Sequence, residues 1–229
     1  MKTAIVTGAS GNLGQAVVKK FLSQGYYVVG TIVPNDPVGV DIKDNNFETA
    51  VVDLMNEDAS QHFVEAVTAR HKTIDAAILT VGGFAMGKIA DTKTSDIAKQ
   101  YKLNFETAYN VARPVFTQMM KQNSGRIFLI GSKPGLDHRN GKGMVAYSLA
   151  KSIIFRLAEL MNDEAKELNV VTNVIVPSTI DTPQNRSSMP DADFNKWVKA
   201  EAIADIIYFY CTDETSVIRE PVIKVYNNS

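Results

Sequence analysis

The sequence is poor in the residues on which disulfide-rich and metal-binding proteins depend. It has one cysteine and three histidines in 229 residues. A lone cysteine, Cys211, excludes an internal disulfide framework and fits a reducing compartment. The histidines, His62, His71 and His138, are scattered without metal-ligand spacing, so we expect no metal site.

Neither sign of charge dominates the chain either. Lys and Arg number 24 against 25 Asp and Glu, for a net charge of −1. This balance gives no electrostatic reason to expect a nucleic acid or an anionic membrane as partner. No apolar run approaches the ~20 residues that a membrane helix needs, and the N-terminus has no signal-peptide core. We therefore expect a soluble cytoplasmic protein.

Strand and helix patterns alternate along the chain. Short apolar runs predict strands, whereas apolar residues at helical spacing predict helices, and Pro114 is expected to bend the third helix. The predicted strands are 4–6, 26–33, 47–52, 74–80, 126–130, 170–176 and one within 216–226, and the predicted helices are 13–23, 57–70, 95–120, 145–167 and 200–212. Apolar strands between helices predict an α/β fold with a parallel sheet covered on both faces. No linker or repeat interrupts residues 1–229, which predicts a single domain.

A Gly-rich turn, Thr7-Gly8-Ala9-Ser10-Gly11-Asn12-Leu13-Gly14, joins the first predicted strand to the first helix. Small residues let the backbone approach a pyrophosphate, which then binds at the helix N-terminus. The turn therefore predicts a dinucleotide site, although a helix entry that needs glycine for its φ angle is the simpler alternative. In such sheets, ligands bind beyond the carboxyl ends of the strands.

The pair Tyr147 and Lys151 opens a long apolar helix. Residues four apart share a helix face, so the pattern predicts an ammonium beside a phenol. A phenol ordinarily titrates near pH ~10, and a nearby positive charge lowers its pKa. The pair is thus a candidate general acid/base for a hydroxyl or carbonyl group. The same spacing also occurs in helices where the Tyr packs in the core and the Lys is solvated.

These features follow one another in an order that resembles the short-chain dehydrogenase/reductase superfamily over essentially the whole chain. The matching positions are Thr7–Gly14, Asp53, Gly82-Gly83, Asn104, Ser132, Tyr147 and Lys151. The resemblance implies a doubly wound, Rossmann-like parallel sheet of about seven strands. It also implies that Ser132 orients a substrate carbonyl and that Tyr147 passes the proton. Lys151 would lower the pKa of Tyr147 and hold the nicotinamide ribose, and Asn104 would support a water relay.

The cofactor that the resemblance implies is NADH or NADPH. The residues expected to bind it are Gly8, Ser10, Asn12, Leu13, Gly14, Asp53, Leu54, Val81, Gly82, Gly83, Tyr147, Lys151, Pro177 and Thr179. An NAD-preferring enzyme usually has an acidic residue at the end of the second strand, for the adenosine 2′-hydroxyl. Here that position is about Ile32, without Arg or Lys nearby for a 2′-phosphate, and Asp36 could reach the ribose only if the loop folds back. The sequence leaves both cofactors open.

A longer stretch, 176–197, resembles quinonoid dihydropteridine reductase, as does the segment 81–87. It makes Phe84, Arg186, Met189 and Trp197 candidates for binding substrate, with Phe84 and Trp197 as aromatic surfaces for a flat ring. Core packing explains the two aromatic residues equally well, and a structural ion pair explains Arg186. Ser132 suits an ordinary carbonyl, because it supplies a hydrogen-bond donor to the carbonyl oxygen.

The sequence therefore predicts an NAD(P)H-dependent reductase. A quinonoid dihydropteridine is the first candidate substrate, and an ordinary ketone or aldehyde is the alternative. A hypothesis from another class is a non-catalytic dinucleotide sensor on the same fold. The apolar helices 95–120 and 145–167 carry more hydrophobic surface than one sheet face covers, so we also expect a homo-oligomer, a dimer or tetramer.

Overall fold

The structure, a computed structural model, describes residues 1–228. Seven strands form one fully parallel sheet in the order β3-β2-β1-β4-β5-β6-β9. They are β1 (Thr3–Thr7), β2 (Tyr27–Ile32), β3 (Phe47–Val51), β4 (Ala76–Leu79), β5 (Ser124–Ile130), β6 (Asn169–Pro177) and β9 (Val222–Val225). The predicted doubly wound α/β fold is confirmed.

Helices cover both faces of this sheet. They are α1 (Asn12–Ser23), α2 (Glu57–His71), α3 (Thr94–Tyr101), α4 (Thr107–Gln122), α5 (Lys133–Leu136), α6 (Val145–Glu164), α7 (Pro183–Ser188) and α8 (Ala200–Phe209). One buried apolar cluster lies under α2, α4 and α6, and the other lies under α1 and α8. Because side chains alternate between the faces of a strand, β1 to β6 contribute to both clusters, whereas β9 contributes to the one under α1 and α8.

The predicted third helix is three segments rather than one bent helix. A π-helical stretch, Lys102–Glu106, separates α3 from α4, and α4 continues through Pro114 to Gln122. The irregularity therefore lies around Asn104, well before the proline. Single-turn π segments of this kind are frequent at functional sites.

The polar segment after β6 has more structure than its sequence pattern indicated. It contains α7 and a two-stranded parallel pair, β7 (Ile180–Asp181) with β8 (Val198–Lys199). No helix among residues 1–228 is long and apolar enough to cross a membrane.

The strand order reverses between β1 and β4, and this reversal positions the site. The chain runs outward from β1 to β2 and β3, then returns to place β4 on the other side of β1. At their carboxyl ends the two strands are tied together, because the Thr80 hydroxyl donates to the carbonyl of Thr7 at 2.6 Å. A crevice between diverging connections at this edge is where doubly wound sheets bind nucleotides.

Candidate active site

The Gly-rich turn is a tight backbone cradle at the carboxyl end of β1. Gly8 has a φ of +63°, in the left-handed region that favours glycine, and its carbonyl accepts from the N–H of Gly11 at 3.0 Å. A Cβ on Gly14 would lie 2.1 Å from the Gly8 carbonyl oxygen, so no larger residue fits there. The N-cap of α1, Gly11, contributes no side-chain acceptor. The turn therefore fits the phosphates of a dinucleotide, which bind helix N-termini through backbone N–H groups.

The loop after β2 folds back onto this turn. The Ser10 hydroxyl donates to a carboxylate oxygen of Asp36, and the other oxygen accepts from the N–H of Val38 at 2.8 Å. These hydrogen bonds, the one from Ser10 above all, hold the pKa of Asp36 below its ordinary value. An ionised carboxylate thus lies beside the Gly-rich turn, the arrangement that the sequence left conditional on the loop.

Tyr147 and Lys151 both reach the loop that follows β4. The Tyr147 ring meets the ring of Phe84 edge-on, with centroids 5.1 Å apart. The Lys151 ammonium lies 3.2 Å from where a Cβ on Gly82 would be, and it donates to the carbonyl of Ile130, at the end of β5, at 2.8 Å. The two side chains therefore meet the same part of the sheet edge.

The pKa of Tyr147 moves opposite to the expected direction. Burial of the phenol raises its pKa above the ordinary value, and a hydrogen bond from the Ser132 side chain offsets part of this rise. Lys151 does not drive the shift: its ammonium is turned to the Ile130 carbonyl, and its own burial lowers its pKa to about 8. The expected lowering of the Tyr147 pKa by Lys151 is therefore not seen: burial raises this pKa, and the hydrogen bond from Ser132 is what opposes the rise. A raised pKa makes the phenol a weaker acid, and the hydrogen bond from Ser132 opposes that change.

Ser132 is brought to Tyr147 despite the long interval between them. Its oxygen caps α5 by accepting from the N–H of Gly135 at 3.2 Å. Gly135 in turn packs against α6: a Cβ there would lie 2.7 Å from the carbonyl carbon of Lys151. The short helix α5 thus fixes the serine hydroxyl against the tyrosine, and the sequence analysis did not single out Gly135.

Asn104 also contacts the loop after β4, and only 1% of its surface is exposed. Its amide oxygen accepts from the N–H of Gly83 and its amide nitrogen donates to the carbonyl of Gly83, each at 3.0 Å. Asn104 therefore fixes the Gly82-Gly83 backbone through two hydrogen bonds to Gly83. A Cβ on Gly82 would lie 2.7 Å from the Asn104 oxygen, which leaves no free space between them.

The remaining cofactor candidates follow the strand ends of the same sheet edge. Asp53 is exposed, and its carboxylate accepts from the N–H of Met55 at 3.0 Å. Leu54 is buried, and Val81 packs beside Gly8. Pro177 ends β6, and the carbonyl of Thr179 accepts from Val198.

The substrate candidates separate into two groups. Phe84 is 61% exposed beside Tyr147, and Met189 is 41% exposed. Trp197 is only 7% exposed and packs on Phe194, which favours its alternative reading as a core residue. Arg186 forms a bidentate pair with Asp181 at 2.6 and 2.8 Å, so its guanidinium serves a structural ion pair.

Comparison with known proteins places this geometry in a family. Residues 2–193 match the short chain dehydrogenase family. The chain belongs to the short-chain dehydrogenases. It is therefore an NAD(P)-dependent oxidoreductase, and the Gly-rich cradle and the glycine pair after β4 fit that cofactor.

Individual short-chain dehydrogenases similar to the chain include two reductases of 3-oxo compounds. It is 26% identical over 189 residues to acetoacetyl-CoA reductase of Acinetobacter sp., covering 80% of this chain and 75% of that one. It is 25% identical over 227 residues to 3-oxoacyl-[acyl-carrier-protein] reductase of Buchnera aphidicola, covering 95% and 92%. Among solved structures, ElxO with NADP bound superposes with a TM-score of 0.89 at 20% identity over 98% of this chain and 96% of that one, a likeness of fold.

Proposed function

We propose that this short-chain dehydrogenase reduces a ketone carbonyl, with Tyr147 as the proton donor. The observation that carries the proposal is the position of the Tyr147 phenol, which is hydrogen-bonded by Ser132 and lies, with the Lys151 ammonium, at the loop after β4. Both curated relatives described above are named for the reduction of 3-oxo compounds, which supports a 3-oxo acyl compound as the substrate class.

The roles of the residues follow from their positions. When bound, the reduced nicotinamide supplies the hydride that the carbonyl carbon accepts. The carbonyl oxygen, as the C=O π bond breaks, takes the proton from the Tyr147 hydroxyl, and Ser132 donates a hydrogen bond that stabilises the charge developing on oxygen. Lys151 contributes a positive charge at Gly82, where we propose that the nicotinamide ribose binds.

A quinonoid dihydropteridine is the second candidate substrate. The exposed Phe84 ring beside Tyr147 offers an apolar surface to a flat ring, which supports this alternative. An ordinary carbonyl ranks first because Ser132 is in contact with Tyr147 and because the relatives act on 3-oxo compounds.

Turnover measurements test both substrates. The purified protein is given NADH or NADPH with acetoacetyl-CoA, a cyclic ketone or a quinonoid dihydropterin, and loss of the reduced cofactor is followed by absorbance. We expect the 3-oxo thioester to be reduced and Tyr147→Phe to lower kcat by about a thousandfold, because the proton donor is lost. Tyr210→Phe, on the far side of the sheet, is the matched control. Cofactor binding without turnover of any substrate would support the sensor hypothesis instead.

We propose that the preferred cofactor is NADH, with Asp36 as the selecting group. A carboxylate held beside Ser10 can accept a hydrogen bond from an adenosine 2′-hydroxyl, but it repels a 2′-phosphate. Asp36→Asn keeps an acceptor for Ser10 and removes the charge. We expect it to shift the ratio of kcat/KM for NADPH over NADH upward by about tenfold. Asp41→Asn, in the same loop, should leave the ratio unchanged; an unchanged ratio in Asp36→Asn would contradict the assignment.

We also propose that residues 1–229 act as one domain and pair through α4 and α6. An aromatic row, Tyr101, Phe105 and Tyr109, runs along α3 and α4 with centroids 5.1 and 5.8 Å apart. On α6, Leu149 and Leu160 are at least half exposed and share a helix face. Light scattering should show a dimer or larger assembly at micromolar concentration, and Leu160→Glu should dissociate it. A monomeric wild-type protein would refute the pairing.

A further inference from the structure

Gln100, on α3, is a buried polar side chain that the roles described above do not use. Only 5% of its surface is exposed, although glutamine is mostly a surface residue. Its side-chain oxygen accepts from the amide nitrogen of Asn104 at 2.9 Å. Its backbone carbonyl is 3.2 Å from the same nitrogen, within hydrogen-bond distance. Gln100 thus surrounds the donor end of the Asn104 side chain with acceptors.

These contacts fix which way the Asn104 amide points. In the observed orientation, the amide nitrogen faces the carbonyl of Gly83 and both Gln100 oxygens, and the amide oxygen faces the N–H of Gly83. A flipped amide would bring its oxygen against three acceptors. Because Asn104 is almost fully buried, water cannot relieve that conflict, and an unmatched buried polar group is costly.

The Asn104 amide lies close to Lys151, because both side chains contact Gly82. One position, that of a Cβ on Gly82, would be 2.7 Å from the Asn104 oxygen and 3.2 Å from the Lys151 ammonium. The Asn104 oxygen and the Lys151 ammonium therefore lie on the same side of this glycine. A displaced Asn104 would release the Gly82-Gly83 backbone, which lies where we propose that the nicotinamide ribose binds.

Helical spacing brings Gln100 to Asn104. The two residues are four apart and span the junction between α3 and the segment Lys102–Glu106. Such a segment widens the helix, and the backbone carbonyl and the side chain of Gln100 both remain within reach of Asn104.

We propose that Gln100 is a positioning residue of this reductase, which locks the amide of Asn104 and through it the Gly82-Gly83 backbone beside Lys151. The inference rests on the proposed function for its effect on turnover. Its effect on the Gly83 backbone and on cofactor binding is independent of that function.

The test compares two substitutions at Gln100. Gln100→Met has a similar length but only a weakly accepting sulfur, whereas Gln100→Glu retains an acceptor oxygen for Asn104. We expect Gln100→Met to lower kcat by about tenfold, to weaken NADH binding by about fivefold, and to leave KM for the ketone within about twofold. Gln100→Glu should restore kcat and NADH binding to within about threefold of the wild type. Gln61→Met, on α2, is the matched control and should resemble the wild type.

Amide hydrogen exchange at Gly83 separates positioning from general loss of stability. In the wild type this N–H donates to Asn104, so it should be protected, and Gln100→Met should lose that protection while the strand amides of β4 and β5 keep theirs. If Gln100→Met does not fold, Gln100→Ala replaces it, because it removes the acceptor oxygen without placing a bulky side chain in the site.

The outcomes distinguish this inference from the proposed function. A wild-type protein that binds NADH but reduces no ketone would refute the function, and the Gly83 exchange and NADH affinities would still test Gln100. Wild-type kcat, NADH affinity and Gly83 protection in Gln100→Met would overturn the inference and leave the function intact.

Discussion

Replacing the buried ammonium of Lys151 should change how the stability of the cofactor-free protein depends on pH. Lys151 is 4% exposed, and burial lowers its pKa from 10.5 to about 8. Each unit of such a shift corresponds to about 1.4 kcal/mol of difference between the folded and unfolded states. The folded protein thus carries an ammonium that would be better solvated after unfolding.

The sign of the effect follows from which state binds the proton. Below about pH 8 the lysine is protonated in both states, so stability does not change with pH on its account. Between about pH 8 and pH 10.5 the unfolded chain holds the proton and the folded protein releases it, so stability rises with pH. From about pH 7 to pH 9 the rise amounts to about 1.4 kcal/mol, or about 3–6 °C in Tm for a chain of this size.

The comparison of wild type with Lys151→Met isolates this contribution. Burial raises the pKa of Cys211 to about 12, which lowers stability as pH rises above its unfolded value of 9.0, but the thiol is present in both proteins. Its effect therefore cancels in the difference. Urea unfolding can be followed by the fluorescence of Trp197, the single tryptophan, which is buried.

The expected result is a difference, wild type minus Lys151→Met, that increases by about 1.4 kcal/mol from about pH 7 to pH 9. Lys19→Met, at an exposed position of α1, should give a difference that does not vary with pH. If the difference in unfolding free energy between the wild type and Lys151→Met is flat or falls with pH, the ammonium is not desolvated. Lys151 would then not be a buried charge at the site.

Three further substitutions test the backbone contacts of the site and its support. Gly14→Ala places a Cβ 2.1 Å from the Gly8 carbonyl oxygen and so displaces the turn. The affinity for NADH and NADPH, measured by titration, should fall at least about tenfold. Unchanged affinity would mean that the turn does not bind the cofactor. Gly135→Ala pushes α5 away from Lys151 and with it the Ser132 hydroxyl, so kcat should fall about tenfold with cofactor affinity kept; a loss of affinity alone would contradict the role of α5. Asn162→Leu removes two hydrogen bonds of 2.8 Å that join α6 to the backbone of Thr172, and urea unfolding should show a loss of about 2–4 kcal/mol; a loss below about 1 kcal/mol would mean that water replaces both bonds.

The local pattern of apolar residues in the sequence was sufficient to predict the architecture of this protein. Apolar runs alternating with helical periodicity predicted the seven parallel strands, because burial on both faces of a sheet requires continuous apolar strands. The Gly-rich turn was recognisable from its position between strand and helix. The spacing of Tyr147 and Lys151 was sufficient to predict that both lie on one face of α6.

Contacts between distant parts of the chain could not be predicted from the local sequence pattern. The return of Asp36 to Ser10 and the contact of Ser132 with Tyr147 both depend on how loops and helices pack. The sequence shows a glutamine, Gln100, one helical turn before Asn104, but it does not show that this glutamine is buried.

The sequence by itself therefore determined the order of elements and the residue types available at the sheet edge. Only the tertiary structure decided which of them meet and which way the pKa of Tyr147 moves. Helical and strand periods are properties of a few neighbouring residues, whereas desolvation and hydrogen bonding at the site depend on everything that surrounds a side chain in three dimensions.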